Sequence, residues 1–479
     1  MNRDLPHILF LFPDQLRADV LSAARHPVVR TPHIDRLARE GIYFTHCCTN
    51  SPLCGPTRHS IATGLYPHNS HCWMDPDCMK PGTDTYMRRL QERGYRTCLV
   101  GKAHFYYQEN VDLKPFEEFM HGLGFEDLFE TGGSWSNVGA ATIYDDYLKG
   151  LGLDEKLYEY YRYLDRLPDV KRRFLAEPSP LPAEHVLDSF IGRTAVEYIR
   201  ECDDERPSFL FVGFQGPHEP WDAPEPYASM YDPDAFPDPI PELPHGDWLS
   251  PEAREYAMYA QYFQPERPRA IKEIRANYAG KISLIDDWIG RILAAYEEKG
   301  WLDHTVVIFA SDHGDMLGDL NRISKSMFFE GALRVPLILR LPGVPGDRTS
   351  DALIELIDLY PTLLELAGCE IPKYRDGRSL LPLARGETDR HRNDVLGEVH
   401  VHTMVRTRCW KYVAGQTGNS LQLFDLEDDP HEQRNLAGHP DYREIEREMR
   451  DLMLRRILRS QFHATDADPA LSAHTSIVP

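Results

Sequence analysis

Ile8-Leu-Phe-Leu-Phe12 runs directly into Pro13-Asp14-Gln15. Three further stretches repeat that design. Thr97-Cys-Leu-Val100 leads into Gly101-Lys102-Ala103-His104, Phe209-Leu-Phe-Val-Gly-Phe214 leads toward Gly216-Pro217-His218, and Val306-Val-Ile-Phe-Ala310 leads into Ser311-Asp312-His313-Gly314-Asp315. The apolar runs lack the alternation of a half-solvated strand, so they read as strands covered on both faces, as in a parallel sheet. Between them lie helical patterns over 83–94, with Gly94 at the C-terminal cap, and over 271–300. This alternation predicts an α/β sandwich. In such sheets ligands bind beyond the carboxyl ends of the strands, which is where each polar group falls. The four endings are therefore expected to meet at one site.

The bulk composition narrows the function. With 42% hydrophobic and 27% charged residues, the 479-residue chain has the make-up of a soluble enzyme with a full core. Its net charge of −22 argues against a nucleic-acid or anionic-membrane surface, since both need a basic face. The apolar run 8–12 is short and followed by Pro-Asp, so it reads as a strand and not as a signal peptide. No window has the length of a transmembrane helix. The nine cysteines show no repeated metal-type spacing, and a cytoplasmic protein with reduced thiols is expected.

Residues 112–182 carry weak strand signals and read as insertions over the site. Residues 221–268, heavy in Pro, Asp and Glu, read as a long ordered loop. After residue 381 the pattern changes: 394–402 and 406–413 look like antiparallel strands, and 442–458 like an amphipathic charged helix. The expected organisation is a catalytic domain over 1–385, a C-terminal α+β subdomain over 386–463, and a flexible tail or oligomerisation arm over 464–479. A homo-oligomer is expected.

The most informative chemistry lies in Ser51-Pro-Leu-Cys54-Gly-Pro56-Thr57-Arg58, followed by His-Ser-Ile-Ala-Thr63-Gly64. Pro56 suits a first helical turn and Gly64 a helix end. Cys54 then sits at a helix N-terminus, where exposed N–H groups favour an anion, with Arg58 one turn on. Taken alone, a small buried cysteine beside a structural arginine fits this stretch equally well.

The series as a whole resembles the formylglycine-dependent sulfatases of the alkaline-phosphatase-like superfamily. Cys54-x-Pro56-x-Arg58 with Thr63-Gly64 matches their signature, and Thr57 stands where serine is more common. The likeness includes Asp14-Gln15, Thr31-Pro32-His33-Ile34-Asp35, Gly101-Lys102-Ala103-His104, Ser311-Asp312-His313-Gly314, Arg334-Val335-Pro336 and the 423–437 stretch. The resemblance implies a large mixed, mostly parallel sheet sandwiched by helices, plus a smaller C-terminal antiparallel sheet and helix. It also implies that a maturation enzyme oxidises Cys54 to formylglycine. One hydroxyl of the hydrate attacks sulfur, and the other, once deprotonated, expels sulfate.

By the same resemblance, Asp14, Asp312, His313 and modified Cys54 hold a divalent metal. Gln15 stands where many relatives carry a second aspartate. Calcium is the family's usual ion, and the histidine ligand also suits Mn²⁺, with Mg²⁺ a further option. Lys102 contacts the sulfate and His104 assists turnover. His218 resembles the histidine that protonates the leaving oxygen, a task that suits a group titrating near working pH. Lys325 matches a second sulfate-binding lysine, although 317–329 departs from the usual spacing. Arg58 steadies the formylglycine hydroxyls. Asp75 falls where some relatives place a substrate-contacting asparagine.

A phosphonate monoester or phosphodiester hydrolase shares the nucleophile, Gln15 and the Asp312-His313 pair; the Gly-Lys102-x-His104 motif favours sulfate. A non-catalytic binding protein of the same fold would need lost active-site groups, and none is missing. The sulfate ester itself is open between aryl, alkyl and carbohydrate. Trp135, Trp221, Tyr106 and Tyr107 suit either stacking on a substrate or core packing.

Overall fold

The computed structural model describes residues 5–108, 111–134, 140–202, 206–258 and 268–466. In chain order its main strands are β1 (His7–Asp14), β2 (Ile42–Cys48), β3 (Arg96–Gly101), β4 (Asp127–Glu130), β5 (Ser208–Pro217), β6 (Thr305–Ala310), β7 (Arg334–Arg340), β8 (Arg348–Ser350) and β9 (Ile354–Glu355). They form one sheet in the order β4-β3-β5-β1-β6-β7-β2-β8, with β9 also pairing β2. The four apolar runs become the contiguous block β3-β5-β1-β6, parallel throughout. In register, Leu9 lies between Leu210 and Val307, and Gly101 pairs with Gly213, so the carboxyl ends finish together.

Successive strand residues point to opposite faces, and here both faces are dry. Leu9 and Leu11 of β1 join one core with Leu210, Val212, Val307 and Phe309. Ile8, Phe10 and Phe12 join the other with Phe209, Phe211, Val306 and Ile308. Helices cover both. Helix α1 (Cys54–Thr63) contributes Ile61 and Ala62 to the second core. Helices α2 (Leu187–Glu201) and α3 (Pro268–Glu298) contribute Ile191, Ala195, Ile285 and Ile289 to the first. The sheet is mixed because β7 runs antiparallel to both β6 and β2.

A second sheet, β10 (Val395–Val399), β11 (His402–Arg406), β12 (Trp410–Ala414) and β13 (Ser420–Asp425), is an antiparallel meander. Helix α4 (Arg443–Asp466) packs Met449 and Met453 against its Leu396, Val405, Tyr412 and Leu423.

Several expected boundaries change. The stretch 394–402 is not one strand: the chain reverses at His400-Val401, with His400 in the left-handed region at φ 52° and Val399 paired with His402. The stretch 406–413 breaks at a turn in which Trp410 N–H donates to Thr407 Oγ1 at 3.0 Å. Neither turn carries a glycine, asparagine or proline to announce it. Within 112–182, β4 is a true edge strand of the main sheet. Within 221–268 lie a 3-10 turn, Pro233–Ala235, and a helix, Pro251–Met258. Helix α4 passes the expected boundary at 463, while 467–479 and Trp135 lie outside the described residues. No described helix is long and apolar enough to cross a membrane.

Candidate active site

Helix α1 delivers Cys54 as its first residue and is buried along its whole length. It ends at Gly64, where φ is 71° and a Cβ would lie 2.7 Å from the Tyr360 ring, so glycine is needed there on both counts. The N–H of Gly55 donates to Asp75 Oδ1 at 2.8 Å. One turn on, Arg58 bridges the two buried aspartates: Nη2 reaches Asp14 Oδ2 at 3.1 Å and Nε reaches Asp312 Oδ2 at 2.9 Å. Its Nη1 donates to Lys102 O at 3.1 Å, and its guanidinium lies 5.0 Å from the Phe12 ring centroid.

The Cys54 sulfur meets the strand endings directly. It lies 3.1 Å from His313 Nε2, 3.2 Å from Lys325 Nζ and 3.7 Å from Asp14 Oδ1. Lys102 Nζ sits 2.6 Å from Asp14 Oδ2. Burial alone would raise the Cys54 thiol, but Lys325, Lys102 and His313 pull it well below its ordinary value. Burial and the neighbouring Cys54 work against an ionised Asp14, yet Lys102, His218 and Arg58 hold its carboxyl below the usual carboxylate range. The net effect is a pocket that favours negative charge at residue 54.

One ligand atom from each of Asp14, Cys54, Asp312 and His313 lies within 4.8 Å of every other, and all four residues are buried. Arg58 takes Oδ2 of each aspartate. The two Oδ1 atoms lie 3.9 and 3.8 Å from His313 Nε2. His313 Nδ1 lies 2.9 Å from Gly314 O, which fixes the donor there and leaves Nε2 as the ligand atom. Two carboxylate oxygens and one oriented imidazole fit a divalent cation. Gln15 joins through its N–H, which donates to Asp312 Oδ1 at 2.9 Å. Its side chain accepts from Lys325 Nζ at 2.6 Å and donates to Glu219 Oε2 and Asp315 Oδ2 at 2.8 and 2.7 Å.

His104 belongs to a second close group with Cys54 and Asp75. Lys102, His104, His218, Lys325, Asp75 and Cys54 line one cavity of about 480 Å³. The catalytic, substrate-binding and metal-ligand candidates singled out in the sequence thus lie at or beside this cavity. The insertion supplies much of the remaining wall, through Ser134, Tyr161, Asp165, Arg172 and Arg173. Among the aromatics, Tyr107 faces the cavity. Tyr106 is buried on Glu130 and Phe116, and the Trp221 indole donates to Arg173 O, so both are packing residues. Sequence reasoning missed Glu219 and Asp315, whose carboxylates fix Gln15; burial is opposed at Glu219 by His218 and Lys325, which bring its carboxyl down to about 2.

The family model described as "Sulfatase" matches residues 6–369, and that described as "N-sulphoglucosamine sulphohydrolase, C-terminal" matches residues 318–459. The arylsulfatase of Clostridium perfringens (strain 13 / Type A) is 31% identical, with 98% of each chain covered. The choline-sulfatase of Rhizobium meliloti (strain 1021) is 29% identical, over 92% of this chain and 84% of that one. Among solved structures, the phosphonate monoester hydrolase of Agrobacterium radiobacter superposes with a TM-score of 0.78 at 24% identity, over 95% of this chain and 96% of that one, a likeness of fold. With a family match over three quarters of its length and a relative above 30% identity from end to end, the chain belongs to the sulfatase family and is a hydrolase of sulfate esters.

Proposed function

We propose that the chain releases inorganic sulfate from a small organic sulfate monoester, with Cys54 converted to formylglycine by a maturation enzyme and a divalent cation held at Asp14, Gln15, residue 54, Asp312 and His313. The observation that carries this reading is the Cys54 sulfur at the head of a buried helix, within 3.7 Å of Asp14, His313 and Lys325. That sulfur stands for the hydroxyl oxygens of the hydrated aldehyde, which supply both an attacking group and a route for expelling sulfate. The cation, calcium by family likeness with Mg²⁺ and Mn²⁺ as alternatives, would lower the pKa of a bound hydroxyl and screen the ester's charge.

The chain's own groups then divide the work. Lys102 and Lys325 hold the sulfate oxygens. Arg58 fixes Asp14 and Asp312 and steadies residue 54. Asp75, anchored by the Gly55 N–H, contacts the substrate. His104, close to residue 54, takes the hydroxyl proton that releases sulfate. His218 protonates the leaving oxygen; its Nδ1 lies 2.7 Å from Glu219 O, which leaves Nε2 to pass the proton.

The catalytic domain is assigned to 1–385 and the C-terminal subdomain to the residues from 386 through helix α4, which ends at Asp466, with the remaining residues a tail or oligomerisation arm of a homo-oligomer. All nine cysteines are free and six are buried, which supports a reducing, cytoplasmic setting. Two measurements test the reading. Mass spectrometry of the Cys54 peptide from the native host is expected to give the aldehyde or its hydrate, and an unmodified thiol would overturn the chemistry. Steady-state rates are expected to rank sulfate monoesters above phosphonate monoesters and phosphodiesters; the reverse order would favour the phosphonate reading.

A further inference from the structure

Two helices grip the end of β5 and the backbone that follows it. From α2, the buried Asp188 accepts the N–H of Gln215 at 2.8 Å and that of Gly216 at 3.0 Å on Oδ1. From α3, the buried Lys281 donates from Nζ to the carbonyl of His218 at 2.8 Å, to that of Pro220 at 3.1 Å and to Asp222 Oδ1 at 3.2 Å. An ammonium carries three hydrogens, and here three acceptors within five residues match them. A Cβ on Gly216 would lie 2.6 Å from Asp188 Oδ2 and 3.3 Å from Lys281 Cε, so the grip leaves no slack at that residue.

A buried lysine is a costly way to satisfy two loop carbonyls, which a water or a short polar side chain satisfies without desolvating a charge. What the lysine adds is a fixed, charge-assisted hold on the carbonyl of His218 itself. Proton transfer to a leaving oxygen depends steeply on placement: a misplacement of about 1 Å costs on the order of 100-fold in rate.

We propose that Asp188 and Lys281 form a clamp that sets the position of His218 against the leaving oxygen, so that both are positioning residues acting on the reaction through His218. The proposal rests on the reading of His218 as the general acid. Neither residue lines the active-site cavity; the clamp's effect should appear only where the leaving group needs a proton.

The test compares para-nitrophenyl sulfate, whose phenolate leaves with little help, and phenyl sulfate, whose phenolate is more basic. Lys281→Met is expected to lower kcat on phenyl sulfate by about tenfold or more, part of the roughly 100-fold or greater share of a general acid. On para-nitrophenyl sulfate the loss should stay within about twofold, with KM little changed on both, because a leaving group that needs no proton gains nothing from a placed acid. Lys281→Arg should recover part of the loss. Adding Lys281→Met to His218→Ala should cost nothing further, since residues acting through one group are not additive. Equal losses on both substrates, with His218→Ala still discriminating between them, would overturn the clamp and leave the acid assignment standing. If His218→Ala does not discriminate, the acid assignment falls and the clamp's role with it. Should Lys281→Met fail to fold, the near-isosteric Asp188→Asn carries the same selective prediction and the same contrary outcome.

Discussion

Cys54→Ala is expected to lower kcat/KM toward a sulfate ester by about 10,000-fold or more, measured against protein whose residue 54 is the aldehyde. Alanine leaves Lys102 and Lys325, the proposed sulfate holders, in place but removes the proposed attacking group. The residual rate then belongs to binding and electrostatics alone. The fold should survive, because alanine is well suited to a first helical turn and the lost sulfur lies among polar groups. Cys54→Ser separates the nucleophile from its exit. A serine hydroxyl at the same place can take the sulfuryl group, but it has no second hydroxyl to expel it. The expected result is at most a single turnover, with the peptide spanning position 54 of that variant carrying a sulfate detectable by mass. Sustained turnover in Cys54→Ala would show that residue 54 is not the nucleophile.

The sequence made the centre of the fold readable for a physical reason. β1, β3, β5 and β6 are buried on both faces, so their inner residues, among them Leu9, Phe10, Leu99, Val100, Phe211, Val212, Val307 and Ile308, face two cores alternately and are apolar. Strand direction is a different matter. Nothing local in Arg334–Arg340 says that β7 opposes its neighbours; that follows from where the preceding chain leaves it. The hairpin at His400-Val401 was hidden for a related reason, since the chain passes from Val395–Val399 to His402–Arg406 through a turn with no glycine, asparagine or proline.

The site shows the same division. Asp14, Lys102, His104, His218, Asp312 and His313 were legible because each follows a strand whose ending aims it at the site. Asp188, Lys281, Glu219 and Asp315 were not, because they act on other protein groups. Lys281 left one trace: it is a charge inside a helical stretch, 276–286, that is buried throughout and largely apolar. A polar residue on such a face either reaches a partner or costs stability, and here its partners are the backbone of the His218 loop.

Removing divalent metal from the mature protein is expected to abolish turnover and to lower its thermal stability, both restored on adding the ion back. The geometry dictates the sign. Arg58 occupies one oxygen of Asp14 and one of Asp312, leaving the other of each near His313 Nε2. Those atoms already lie together in the folded chain and are dispersed in the unfolded one, so a cation binds the native state in preference. An ion at 100 times its dissociation constant then stabilises by about 2.7 kcal/mol. Asp312→Asn should lose most of that increment along with turnover, because the amide gives a cation a weaker, neutral ligand and gives Arg58 no counter-charge. The measurement is the melting temperature of wild type and Asp312→Asn with and without Ca²⁺, Mg²⁺ or Mn²⁺, read beside the rate recovered with each. A wild-type protein stripped below one ion per site that still turned over at full rate would exclude a catalytic cation here. A melting temperature raised equally in Asp312→Asn would place the ion elsewhere on the chain.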